Sequence, residues 1–438
     1  MIERAAAALS GVLIARTYPL RFGHVMSCAN GGLRAGGIIL PLGGGARIAG
    51  PAGSWVPALV SGFDANSVHL LPLDGAAALT VGAQVVADDS VNHIAVGGNV
   101  LGRVIDANGV PLDGLGPIGV LKTQPARTVG NPMDKARIKT AMSTGVRAVD
   151  ALFTLGVGQR MAIVAGSGVG KSTLLAQIMR GVAADVVVVA LVGERAREIA
   201  DFDESHVSPA ARAYTVVVAA AADAPAVLRL RAVERATAIA EYFRDAGLSV
   251  LLIVDSLTRL AHAQRQIGLA MGEAPTVKGY PPSALALIPA LIERAGGDRR
   301  TGGSITALYT ILADGDDMDD PVVDTARSIT DGHIVLSRTL AEAGVFPAID
   351  IARSLSRTMT DVVTLEHNAA AQRVRGDWAL AAENRDLVLM GAYRAGADPM
   401  LDRALANRPA IIEFLKQGTD QVCPQHETLE MLHNLGAA

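Results

Sequence analysis

Residues 165–173 read A-G-S-G-V-G-K-S-T, between the apolar run Met161-Ala162-Ile163-Val164 and the helix-patterned stretch Leu174-Leu175-Ala176-Gln177-Ile178-Met179. A glycine-rich turn that ends in Gly-Lys-Ser, entered from a buried strand and left by a helix, is a phosphate-binding loop in its required context. Its glycines let successive backbone N–H groups point inward at a polyphosphate, and the helix start adds its positive dipole end. Gly166, Ser167, Gly168, Val169, Gly170, Lys171, Ser172 and Thr173 are therefore the expected contacts to nucleotide phosphates. Lys171 would reach the β- and γ-phosphates, and Ser172 would place its hydroxyl on Mg²⁺. The strict pattern has Gly at the first position, where this chain has Ala165, and a small residue can serve there. A plain glycine-rich turn between strand and helix leaves Gly170-Lys171-Ser172 unexplained.

A chain of 438 residues is long enough for two or three domains, each with its own core. The hydrophobic share is 50% with 19% charged residues, and no apolar run approaches the length needed to cross a bilayer. A net charge of −4 argues against a constitutive nucleic-acid surface, which would show a basic excess. Cys28 and Cys423 stand far apart and form neither a metal-spaced nor a redox pair, so buried or inert thiols are expected. The N-terminus lacks a sustained apolar stretch with a cleavage site, and a cytoplasmic location is the expectation.

Three regions separate on pattern after an N-terminal helix expected in residues 1–20. Residues 21–89 carry short β-type runs, among them Ile38-Ile39-Leu40, Val68-His69-Leu70-Leu71 and Gln84-Val85-Val86, punctuated by Gly31-Gly32 and Gly43-Gly44-Gly45, as in a small β-barrel. Residues 90–360 alternate buried strand runs, such as Val186 to Val192 and Val250 to Val254, with an amphipathic helix through Val227, Leu230, Val233, Ile239 and Phe243. That alternation predicts an α/β core, a parallel sheet covered on both faces. Residues 361–438 have helical spacing at Val374 and Trp378 and at Leu401 and Leu405, and Pro409 is placed to open a helix containing Ile411, Ile412 and Leu415.

The run Val250 to Val254 ends in Asp255-Ser256, putting a carboxylate at the C-terminal edge of a parallel strand, where ligands bind in such sheets. Asp255 would hold Mg²⁺ through water. Its alternative role is N-cap of the helix that follows. The run Val186 to Val192 ends in Gly193-Glu194-Arg195, so Glu194 reaches the same edge, where a carboxylate can orient and polarise an attacking water. The alternative is a surface acid in the charged stretch Glu194 to Glu198.

Those residues also carry a resemblance. Leu101-Gly102-Arg103-Val104-Ile105-Asp106, Pro111-Leu112-Asp113-Gly114, Thr144-Gly145-Val146-Arg147-Ala148-Val149-Asp150, Gly158-Gln159-Arg160, the phosphate loop and Gly193-Glu194-Arg195 resemble the catalytic subunits of rotary ATPases. Asp255-Ser256-Leu257-Thr258-Arg259, Gly279-Tyr280-Pro281-Pro282-Ser283, Glu293-Arg294-Ala295-Gly296, Asp331-Gly332-His333-Ile334 and Phe346-Pro347-Ala348-Ile349-Asp350 are similar to the ATPases that energise type III protein export. The similarity runs from about Gly102 to Gly418, and that branch also resembles this chain in carrying Ala at the first loop position.

The resemblance implies a RecA-like nucleotide-binding core, an N-terminal barrel and a C-terminal helical domain, assembled as a homohexameric ring with ATP between neighbours. It implies that Lys171, Ser172, Glu194, Arg195 and Asp255 serve the subunit's own MgATP, and that Arg357 reaches the next subunit's γ-phosphate as an arginine finger. Without the resemblance, Arg357 reads as a surface salt-bridge residue. Phe346 is similar to the aromatic position that stacks on adenine, and its alternative is core packing. Partners implied are a stator protein at the helix near Ile2 to Ile14, a central stalk protein, and chaperone–substrate complexes on the C-terminal helices. Membrane association is expected only through those partners, at the inner face of the cell membrane.

Two features depart from the pattern. Ala196 stands where the branch usually has Gly, and the barrel segment Gly31 to Gly45 matches poorly. The acid cluster Asp314 to Asp320 lacks the ligand order of a calcium loop and reads as a solvated loop. Two other classes stay open: a non-catalytic nucleotide-binding ring subunit, which would not need Glu194, and an RNA translocase resembling transcription termination factor Rho. The latter's front end would be basic and aromatic-rich, whereas this chain has 3% aromatics. The resulting expectation is hydrolysis of ATP to ADP and phosphate for type III protein export, without nucleic acid. Flagellar assembly is favoured over virulence secretion on Gly391-Ala392-Tyr393-Arg394 and Asp398-Pro399, and a rotary ATP synthase subunit is the remaining alternative.

Overall fold

Short alternating runs close the N-terminal segment into a six-stranded barrel: β1 (Phe22–Ala29), β2 (Gly32–Gly36), β3 (Gly45–Ala49), β4 (Trp55–Phe63), β5 (Val68–Pro72) and β6 (Gln84–Ala87), in the order β1-β2-β5-β4-β3-β6. Every second residue turns inward, so Leu33, Ala35, Val68 and Leu70 join Val25, Ile48 and Val85 in a barrel core. The computed structural model describes residues 22–29, 32–74, 78–126, 130–313, 315 and 317–437. The helix and stator contact expected within residues 1–20 lie outside the described residues. Ile38-Ile39-Leu40, expected as a strand, is not one. Gly37, at φ +77°, turns the chain out of the ladder after β2, while Ile38 and Leu40 still bury and Ile39 is exposed. Cys28 is exposed on β1 and Cys423 is buried, and both are free thiols.

The barrel belongs to one unit, residues 1–94, and the rest of the chain, residues 95–438, forms a second. In the second unit the continuous apolar runs become a sheet. Its path comprises β7 (Val104–Asp106), β8 (Arg160–Ala165), β9 (Val186–Glu194), β10 (Thr215–Ala221), β11 (Ser249–Asp255), β12 (Ser304–Leu312), β13 (Gly332–Val335) and β14 (Leu355–Ser356), in the order β14-β13-β8-β12-β11-β9-β10-β7. Neighbours from β13 to β7 run parallel, and only β14 is antiparallel on this path. The helices that matter for the site are α1 (Lys171–Gly181) after β8, α2 (Ala196–Ser205) after β9, α3 (Ala226–Asp245) packed on β9 to β11, and α4 (Leu257–Ala270) after β11. All of β8, β9 and β11 therefore deliver their C-terminal ends to one edge.

The C-terminal segment supplies α5 (Leu365–Glu383), α6 (Pro399–Leu415) and α7 (Gln425–Ala437). They share one apolar core with the parallel sheet: Val374, Trp378, Phe414, Leu415 and Leu432 belong to the same cluster as Met142, Phe153 and Leu175. Pro409 does not open a helix; it lies inside α6. The helix starts ten residues earlier because Asp398 accepts from the Met400 N–H at 2.8 Å and Pro399 fills the first helical position, a stronger start than Pro409 alone. The loop between α6 and α7 is sewn to α1: Gln177 donates to the Gly418 carbonyl at 2.9 Å, and Arg180 donates to the Thr419 carbonyl at 2.6 Å and pairs with Asp420. In the acid cluster, Asp317 pairs with Lys278 at 2.5 Å and Asp320 caps a helix at Pro321–Ile329. Asp314 and Asp316 lie outside the described residues.

Candidate active site

The phosphate loop leaves β8 after Ala165 and enters α1 at Lys171. Gly168 at φ +75° and Gly170 at φ +98° occupy backbone conformations that L side chains rarely adopt, which lets the loop wrap a ligand. Gly166 and Val169 are buried under the loop, while Ser167, Gly168 and Ser172 are exposed at its mouth and Thr173 is half-buried.

Lys171 leaves the first turn of α1 toward the strand ends, where its Nζ forms an ion pair with Asp255 and lies 3.7 Å from Glu194 Oε1. Asp255 is buried, and its Oδ1 also accepts the Thr310 hydroxyl at 2.7 Å from the intervening strand β12. The N-cap of α4 is Ser256, whose hydroxyl accepts from the Arg259 N–H at 3.4 Å. That frees Asp255 from the capping role and leaves its carboxylate on the site. Glu194 is no surface acid either, with a side chain only 13% exposed. Burial, reinforced by a hydrogen bond with Glu198, pushes its carboxyl up to about 7, against the pull of Lys171 and Arg259.

Arg259 is the site residue that sequence reasoning missed. One turn into α4 it returns across the sheet edge, donating from Nη1 to the Gly193 carbonyl and from Nη2 to Glu194 Oε2 at 3.1 Å. Gly193 makes room for it, since a Cβ there would lie 2.9 Å from Arg259 Cδ and the backbone φ is +71°. The available signal was the spacing within Asp255-Ser256-Leu257-Thr258-Arg259, which puts an arginine on the first turn after the strand that ends in Asp255. Two cations, Lys171 and Arg259, thus face two carboxylates, Asp255 and Glu194, in a nearly buried cluster.

Arg195 does not join that cluster. Its side chain is 82% exposed and pairs with Glu198 at 3.5 Å as α2 begins. Ala196, in place of the usual Gly, is simply the first residue of that helix. Phe346 is beside the loop: it is partly exposed, and a Cβ on Gly170 would lie 3.5 Å from its ring.

Arg357 sits elsewhere. Ser356 pairs with Gly332 at the start of β13, and the Arg357 N–H donates to the Asp331 carbonyl at 2.9 Å. Asp331 in turn accepts the Arg160 N–H at the first residue of β8, and Gln159 donates to the Ser356 hydroxyl at 3.0 Å. The Gly158-Gln159-Arg160 motif therefore anchors the arginine segment at the end of β8 opposite the phosphate loop, about 17 Å away along the strand. An exposed side chain there cannot reach its own chain's loop.

A phosphate loop whose lysine meets carboxylates from two neighbouring parallel strands is the equipment of a nucleoside-triphosphate hydrolase. Residues 145–356 match the ATP synthase alpha/beta family, nucleotide-binding domain, and residues 363–434 match the T3SS EscN ATPase C-terminal domain. The flagellum-specific ATP synthase of Salmonella typhimurium is 47% identical over 423 residues, covering 94% of this chain and 93% of that protein. The type 3 secretion system ATPase of Sinorhizobium fredii is 45% identical, covering 86% and 83%. The assembled ATPase EscN of the enteropathogenic E. coli type III secretion system superposes with a TM-score of 0.88 at 39% identity, covering 94% of this chain and all of that one. EscN in complex with its central stalk EscO gives 0.86. The chain belongs to the family of flagellum-specific ATP synthases and type 3 secretion system ATPases, and it is an ATPase of that family.

Proposed function

We propose that the chain hydrolyses MgATP to ADP and phosphate to energise type III protein export in flagellar assembly, as a ring in which each nucleotide lies between two copies. The observation that carries this reading is the meeting of Lys171, Asp255 and Glu194 at the edge where the phosphate loop opens. The triphosphate draws Lys171 toward its β- and γ-oxygens, and the loop amides and the start of α1 bind the remaining charge. Ser172 and Asp255 offer a hydroxyl and a carboxylate, hard oxygen donors suited to Mg²⁺, and Asp255 becomes available as Lys171 turns to the phosphates. The cation, when bound, neutralises charge on the phosphate oxygens. Glu194, held by Arg259, accepts a proton from the attacking water. Phe346 stacks on the base, and Arg195, now swung to solvent, turns to the phosphates of bound nucleotide.

Arg357 completes the site of the adjacent copy, a role supported by its position at the far end of the strand that carries its own loop. The reading places the chain in the cytoplasm, at the inner face of the cell membrane through its partners. Those partners are a central stalk protein, a stator protein at the N-terminal segment and chaperone–substrate complexes at the C-terminal helices. The stalk is supported by the EscN–EscO assembly. The flagellar assignment is supported by the Salmonella relative. The test is specific ATPase activity beside mass in solution over a concentration series. Activity should rise as copies assemble, and Arg357→Ala should remove most of the rise; activity independent of concentration overturns the shared site.

A further inference from the structure

Gln417 lies in the loop between α6 and α7, where Lys416, Gly418, Thr419 and Asp420 are all exposed, yet Gln417 itself is only 5% exposed. A primary amide is buried without penalty only when its hydrogen bonds are made. Here they are. Oε1 accepts the Arg147 N–H at 2.9 Å, and Nε2 donates to the carbonyls of Gly145 and Gln421, each at 2.7 Å. The main-chain N–H of the same residue donates to the Phe346 carbonyl at 2.8 Å. Both donor hydrogens and the acceptor are committed to the protein, so the amide is not a ligand contact. It is a tie between the Gly145–Arg147 turn and the chain carrying the ring beside Gly170.

We propose that Gln417 is a positioning residue for nucleotide binding: the C-terminal segment uses it to hold the Phe346 ring at the height of a bound base beside the phosphate loop. This rests on the reading of Phe346 as the base-stacking wall. The Phe346 carbonyl takes its hydrogen bond from the Gln417 N–H, and the Gln417 amide helps to fix that donor against the Gly145–Arg147 turn. The loop is separately clamped to α1 through Gln177 and Arg180, so loss of the amide loosens the wall without releasing the loop.

The test measures steady-state ATPase kinetics on the assembled full-length chain, with inorganic tripolyphosphate as a competitive probe that has a polyphosphate but no base. Gln417→Ala should raise KM for ATP about tenfold, the effect of weakening one base–aromatic contact, with kcat within a factor of two and tripolyphosphate inhibition unchanged. Phe346→Ala should raise KM at least as much, and adding Gln417→Ala to it should raise KM no further. Gln417→Glu, which keeps the acceptor and loses both donors, should raise KM in the same direction and serves if the alanine variant does not fold. Unchanged KM in both Gln417 variants, equal weakening of tripolyphosphate, or effects that multiply in the double variant overturns the inference. If Phe346→Ala alone leaves KM unchanged, the stacking reading itself fails; if it raises KM while the Gln417 variants do not, only the positioning role fails.

Discussion

Replacing Glu194 with Gln should abolish hydrolysis and yet make the nucleotide-free chain more stable. Burial and the neighbouring Glu198 raise the Glu194 carboxyl from its ordinary 4.5 to about 7, which corresponds to ~3 kcal/mol against the ionised form at pH 8. The carboxylate is not wholly removed from water, and screening reduces this to about 1–2 kcal/mol. A carboxyl whose pKa is raised on folding contributes stability that is fully present below its unfolded value and is lost as pH rises through the folded one. In the wild-type chain that contribution disappears between pH 4.5 and about 7. Gln has no such loss, and its amide retains an acceptor for Arg259. Glu194→Gln should therefore melt about 1–3 °C higher at pH 8, and the difference should shrink toward zero as pH falls to 4.5. The assay is thermal unfolding of both chains across that pH range without nucleotide. A melting temperature at pH 8 equal to or below that of the wild type would refute the assignment of Glu194 as a carboxylate kept buried for catalysis at the expense of stability.

Two other predictions follow from the same cluster. Because Glu194 must be ionised to take a proton from water, kcat/KM should fall about tenfold for each pH step below about 7, and a flat profile from pH 8 to 5.5 would contradict its role as base. Gly193→Ala places a Cβ against Arg259 at a backbone φ of +71°; it should cost about 1–2 kcal/mol of stability and lower kcat, read by unfolding and turnover of the same variant.

Much of this site was legible in the sequence because its signals are local. The loop, its lysine and the carboxylates that end two apolar runs each follow from a few consecutive residues, and a parallel sheet then brings strand ends together without further instruction. What was not legible depends on order across the sheet or on distant contacts. Arg259 meets Glu194 only because β11 and β9 are neighbours, a pairing that neither strand's own sequence declares. Gln417 reaches Gly145 and Phe346 from a loop that, read alone, is polar and ordinary. The proline error has a local cause: two prolines ten residues apart could each open a helix, and the capping aspartate before Pro399 decided between them. Ile38 to Leu40 had strand composition, but the left-handed Gly37 took it out of the ladder while leaving its alternation of buried and exposed residues. Arg357 had a role across an interface only through the resemblance, and no sequence signal tells where it lies; the register of β13 and β14 puts it at the end of the sheet away from its own phosphate loop.

That placement can be tested by mixing two inactive chains. Lys171→Ala removes the lysine proposed to hold the phosphates and Arg357→Ala removes the arginine proposed to cross the interface, so each variant alone should be nearly silent. In a mixed ring, some interfaces join an intact Lys171 to an intact Arg357 from the neighbouring copy, about a quarter of them at equal proportions with random assembly. The account predicts that ATPase activity returns on mixing and scales with that fraction. Activity that stays at the sum of the two separate backgrounds, with mixed assembly verified, would mean that Arg357 does not act across the interface.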